Sequence, residues 1–129
     1  MMTDKTPGEL ATEAAEAIRA LNHRTLDKAS YENPAEVGAA AYALRMLVER
    51  LPQTLDQLRT GLLWFGAENT IRMDDGTDPR DAVAECSASL LVARQHLQGL
   101  LDELALVSAR TSHMGGHWPD HEDDQDDES

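Results

Sequence analysis

The residues that could do chemistry are few, and their spacing decides what each can do. His113, His117 and His121 recur every four residues beside a run of carboxylates. Neutral imidazoles bind zinc, nickel or copper, and three of them with acids nearby could form a site. Gly115, Gly116 and Pro119 prevent the helix that would bring the three rings to one face, so a solubilising tail is the expectation. Glu13 and Glu16 make an ExxE pair on one helix, the first half of a magnesium site. Such chemistry needs a second acidic pair on a facing helix, and Glu36, Glu49 and Asp56 are too far apart to supply it. A solvated acidic face is the reading for Glu13 and Glu16.

The other candidates are weaker. Asp74-Asp75-Gly76-Thr77-Asp78 lacks the ligand spacing of a calcium loop and reads as a turn followed by a helix cap. Cys86 has no histidine within helical reach, so it is expected to be a small buried apolar group. His23 and His96 have no acid or serine partner in the pattern, and no phosphate-binding glycine loop or nucleophile elbow occurs. No catalytic residue and no cofactor is expected. For metal, His113, His117 and His121 are the only candidates.

The elements that would position these residues are helices. Alanine and leucine dominate the 41% apolar content of the 129 residues, and β-branched residues are few. Thr6-Pro7-Gly8-Glu9, Asn33-Pro34-Ala35-Glu36 and Asp78-Pro79-Arg80-Asp81 each place a capping side chain, a proline and then an acid in the order a helix start requires. They divide the chain into three helices. The first runs from about Pro7 to Leu21, with Leu26 and Tyr31 available to pin the connection behind it. The second carries an unbroken 3-4 seam of Val37, Ala41, Leu44, Val48, Leu51, Leu55, Leu58, Leu62 and Phe65. Because that seam keeps its phase through Pro52, a kinked but continuous helix over about 34–69 is expected. The third, about 79–110, has a matching seam of Val83, Cys86, Leu90, Ala93, Leu97, Leu100, Leu104 and Val107.

The expected fold is all-α, with a short N-terminal helix packed on a long antiparallel hairpin. Residues 1–112 form the helical domain and 113–129 a disordered acidic tail. A first helix of about 22 Å cannot cover hairpin arms of about 50 Å. Leu47, Leu63, Trp64, Leu91 and Leu101 are therefore named as an interaction surface, for a second copy of the chain or for a partner protein.

Charge narrows the partner. The net charge of −13 includes seven acids and no lysine or arginine in residues 113–129, which leaves 17 acids against 11 bases elsewhere. No basic stripe suited to a phosphate backbone is present, so direct nucleic-acid binding is disfavoured. The acidic tail suits a basic protein. With one cysteine, no apolar leader and no span of about 20 apolar residues, a cytoplasmic protein that does not enter the membrane is expected.

Three resemblances bear on function. The run GELATEAAEAIRALNHRTL, then YENPAEVGAAAYALRMLVERLPQTLDQL, then MDDGTDPRDAVAEC resembles a group of small helical proteins of high-GC actinomycete bacteria. It covers about residues 8–110, implies the three-helix arrangement and adds no catalytic residue. Trp64-Phe65-Gly66 in a helical hairpin resembles the WXG-type secreted proteins of type VII secretion. This chain is longer, its tripeptide precedes the turn by several residues, and it lacks the Tyr-x-x-x-Asp/Glu signal near the C-terminus. Glu13-Ala14-Ala15-Glu16 is similar to the opening of the magnesium site of all-α nucleotide pyrophosphohydrolases, without its second half. The leading expectation is a non-enzymatic interaction or adaptor module that self-associates through its seams. The secreted hairpin comes second and the hydrolase third.

Overall fold

Each of the three proline-marked starts opens a helix. The computed structural model describes residues 4–27 and 30–117, and these form α1 (Pro7–Arg24), α2 (Pro34–Glu49), α3 (Leu51–Ala67) and α4 (Pro79–Thr111). No strand occurs among the described residues. The Thr6 hydroxyl accepts from the Glu9 N–H at 3.1 Å, the Asn33 side chain from the Glu36 N–H at 2.9 Å, and the Asp78 carboxylate from the Arg80 N–H at 2.9 Å. Each cap satisfies an amide that the helix itself cannot use.

The expected continuous second helix is interrupted. Arg50 separates α2 from α3 while staying near helical geometry, at φ −87° and ψ −16°. Its N–H reaches the Leu47 carbonyl at 3.2 Å, a closure one residue tighter than the α-helical one. Pro52 has no N–H to donate, and its ring crowds the turn before it, so the break falls at this point. The second arm ends close to the expected residue 69. Asn69 takes the left-handed conformation at φ 56°, and the Thr70 N–H bonds the Phe65 carbonyl at 3.2 Å, closing α3 in a Schellman-like turn.

The α2–α3 arm and α4 run antiparallel along their length. Gly38 lies against Thr111 at one end, where an added Cβ would come within 3.2 Å of the Thr111 carbonyl oxygen. Gly66 lies against Val83 at the other end. Between them Asp56 pairs with Arg94, and the Arg59 guanidinium donates to the Ser87 hydroxyl at 2.7 Å. These pairs hold one register from end to end, across the Arg50 break.

The register corrects the expected seam. The inner contact follows Gly38, Ala41, Arg45, Val48, Pro52, Leu55, Arg59, Leu62 and Gly66 on one arm, a strict 3-4 series. On α4 it follows Val83, Ser87, Leu90, Arg94, Leu97, Leu101, Leu104, Ser108 and Thr111, in the same spacing. Half of the sequence-derived seam, such as Ala41, Val48, Leu55 and Leu62, belongs to it. Leu58, Phe65, Cys86, Leu100 and Val107 do not, and all five are exposed. The hairpin is rotated by about half of one residue's 100° step away from the most apolar edge. Small residues explain the choice: Gly38, Gly66, Ser87 and Ser108 let the two backbones approach closely.

The helix pair buries little. Val48, at 5% exposure, is the buried apolar side chain among the described residues, and Ser87 and Ser108 are the buried polar ones. α1 is held more loosely still, with no buried residue, and its first residue Pro7 nears α3 around Leu58, Gly61 and Phe65. Tyr31 is half-buried as expected of a pinning residue, whereas Leu26 is 78% exposed.

Candidate functional site

The candidate catalytic and metal groups do not converge. Glu13 pairs with Lys5, while Glu16 pairs with Arg19 at 3.3 Å, so the two carboxylates of the ExxE face serve different cations on the molecular surface. His113 and His117 lie beyond the end of α4 and are exposed, and His121 falls outside the described residues along with most of the acidic tail. Among the described residues no three His, Cys, Asp or Glu side chains are grouped closely enough to hold a metal ion. No helix among them is long and apolar enough to cross a membrane.

The turn between α3 and α4 is built for structure. The Asp75 carboxylate accepts from the Thr77 N–H at 3.0 Å, which holds its pKa below the ordinary 3.8, and Gly76 takes φ 83°. Asp78 caps α4, and its carboxyl is also held low, first by the hydrogen bond from the Arg80 side chain and then by that from the Arg80 backbone. A cleft of about 260 Å³ lies beside it, lined by Gly66, Asn69, Ile71, Asp78, Pro79 and Arg80. Its one carboxylate and one guanidinium are paired with each other at 3.2 Å. The acid-rich loop thus acts as a turn and a cap.

What remains open is apolar. Along the hairpin, one residue removed from the inner line, runs a second line of Val37, Leu44, Leu51, Leu58 and Phe65. Its counterpart on α4 is Cys86, Ala93, Leu100 and Val107. In an antiparallel pair such positions flank the same side of the contact. They meet in a groove of about 420 Å³ lined by Leu51, Leu55, Ala93, His96, Leu97 and Leu100. Leu58, Phe65, Leu100 and Val107 are each between 46% and 55% exposed. No residue of this second line is polar, whereas the inner line contains Arg45, Arg59, Ser87, Arg94 and Ser108. The less apolar seam is closed within the chain and the more apolar one is left at the surface.

The residues named from sequence as an interaction surface are distributed differently. Leu101 is on the inner line and half-buried, and Leu47 is half-buried on α2. Leu91 borders a separate shallow groove with Pro52, Arg94, Gln95 and Gln98. Leu63 is exposed, as is Trp64, whose ring meets that of Phe65 edge-on at 4.9 Å between centroids. The expected burial of Cys86 is corrected too, since its thiol is exposed on the outer line. Ranking positions by apolarity hid these placements; the glycines and serines at heptad spacing, facing arginines, were the signal for the inner line.

Compared with known families, with characterised proteins and with solved structures, the chain matches none.

Proposed function

We propose that this chain is a non-enzymatic protein–protein interaction module, an adaptor or regulatory piece, that works in the cytoplasm through the outer apolar line of its hairpin. One observation carries the reading: the more apolar of the two helical seams faces outward, and contiguous exposed apolar surface of this kind marks docking sites. An amphipathic helix laid into the groove beside Leu51 and Leu100 would bury it, with anchors at three- and four-residue spacing. The acidic run of residues 120–128 would favour a basic protein as a further contact. The resemblance to the actinomycete helical group implies the helical arrangement and adds no catalytic residue. The full chain is expected to enhance the fluorescence of anilinonaphthalene sulfonate, and Leu58→Glu to reduce that enhancement severalfold with helicity unchanged. A wild-type chain that leaves the dye dark would remove the reading.

A second reading, the WXG-type secreted hairpin, is favoured by one feature. Gly66 of the tripeptide packs across the hairpin on Val83, so the tripeptide sits at the helix crossing. Detection of the chain outside cells, dependent on a type VII apparatus, is its expected signature; retention in the cytosol would end it.

A further inference from the structure

We infer that α1 is an intramolecular strap, a helix of the chain's own that closes onto the outer apolar line and competes there with the partner. The inference rests on the interaction reading above and adds its regulation. Pro7, the first residue of α1, already borders that line: with Leu58, Gly61, Leu62 and Phe65 of α3 it lines an open groove of about 450 Å³. Of the 18 residues of α1, Ile18 and Leu21 are half-buried and the rest are exposed. Both belong to the stripe of Leu10, Ala14, Ala17, Ile18 and Leu21, so the apolar face of α1 is the one turned toward the hairpin. Glu13, Glu16 and Arg19, the paired charges of α1, lie off that stripe.

The path of the chain fixes the register. Pro7 lies near Gly61, and α1 must end within reach of Pro34, where α2 begins. At 1.5 Å per residue the arm from Gly61 back to Pro34 measures about 40 Å, and α1 is about 27 Å long. Residues 25–33 reach at most about 36 Å, so a helix set square to the arm, or pointing away from α2, would end too far from Pro34. α1 therefore runs antiparallel to the arm. Both helices rise equally per residue, which places Leu10 opposite Leu58, Ala14 opposite Thr54 and Leu21 opposite Leu47. The Arg24 guanidinium hooks the far end, donating to the Ser30 carbonyl at 3.2 Å.

Gly61 is a separate sign of closure. It lies inside α3, where glycine is a weak helix former, and among the described residues an added Cβ would meet nothing within 4 Å. The seating of α1 seen here makes no use of the missing side chain. A closer one would, because a helix approaches a glycine almost to backbone contact. Leu10, at 43% exposure, and Leu58, at 55%, stand uncovered at the same level of the arm, and closure buries both. The stripe of α1 then occupies the place of an amphipathic partner helix. A partner binds the fraction of chains in which the strap is open, and its apparent affinity falls with that fraction.

The test uses the full chain and anilinonaphthalene sulfonate. Ile18→Glu and Leu21→Glu, which weaken the strap, should each raise dye fluorescence severalfold over the wild type. Thr12→Glu, on the opposite face of α1, should leave it unchanged. Ala14→Cys with Thr54→Cys in a Cys86→Ser chain reads closure directly. Oxidation with copper phenanthroline should link positions 14 and 54 within one chain and dim the dye severalfold, and reduction should restore it. Thr12→Cys with Thr54→Cys should not link. A bright wild type whose fluorescence ignores Leu21→Glu, or a link between positions 14 and 54 that fails to form or leaves the dye unchanged, would overturn the strap and spare the interaction reading. A wild type that leaves the dye dark would overturn both.

Discussion

At the scale of single residues, polar groups do much of the specifying. The Arg59 guanidinium reaches across the hairpin to Ser87, which is nearly inaccessible. Hydrogen bonds to charged groups contribute about 1.5–3 kcal/mol, and the half-exposed arginine places this one at or below the low end. Arg59→Met is therefore expected to destabilise the fold by about 1 kcal/mol, read as a lower midpoint in urea. Asp78 makes a different contribution. Its folded-state pKa is depressed by Arg80, so its stabilising effect on the start of α4 is full above the ordinary 3.8 and is lost as pH falls through the lowered value. Asp78→Asn retains an oxygen acceptor for the Arg80 amide but cannot titrate. It should flatten the acid limb of a helicity titration taken from neutral pH to well below 3.8. The bond across the hairpin was not legible in the sequence, because Arg59, Ser87 and Arg94 interrupt the apolar pattern that the eye follows. The three caps were legible, since Thr6, Asn33 and Asp78 each announce themselves by the proline that follows.

At the scale of elements, the break at Arg50 and the rotation of the hairpin are linked. Pro52 lies on the inner line, half-buried, and the 3-4 phase runs through it without a slip. The proline therefore bends the arm without changing which residues face α4. Pro52→Ala should fuse α2 and α3, raise helicity and add about 1 kcal/mol of stability, less than the full interior proline cost of about 3 kcal/mol because the helix already restarts there. Thermal unfolding followed by circular dichroism checks it, and an unchanged or lower midpoint would show that the ring's packing against α4 outweighs the backbone gain. The helices and their antiparallel pairing could be read from spacing alone. Their rotational phase could not, because hydrophobic periodicity identifies an apolar edge and not which of two adjacent edges closes first.

At the scale of the whole molecule, order is graded along the chain. Amides near Val48, Ser87 and Ser108, where the arms meet, should be the most protected in hydrogen exchange. Those of α1, which has no buried residue, should exchange fastest among the helices. Equal protection throughout would mean that α1 is docked more firmly than its exposure indicates. The outer apolar line was half legible: the surplus of leucine pointed to an uncovered edge, but spacing alone did not say which edge it would be. The scarcity of buried apolar side chains has one more consequence. A hairpin whose inner line is partly polar gains much of its resistance to opening from whatever covers the outer line, so its melting temperature should rise when that line is occupied. Copies whose outer line is uncovered would then open more often and meet proteases sooner. The same geometry that leaves an apolar edge uncovered makes the lifetime of the chain a gauge of how much of it is bound.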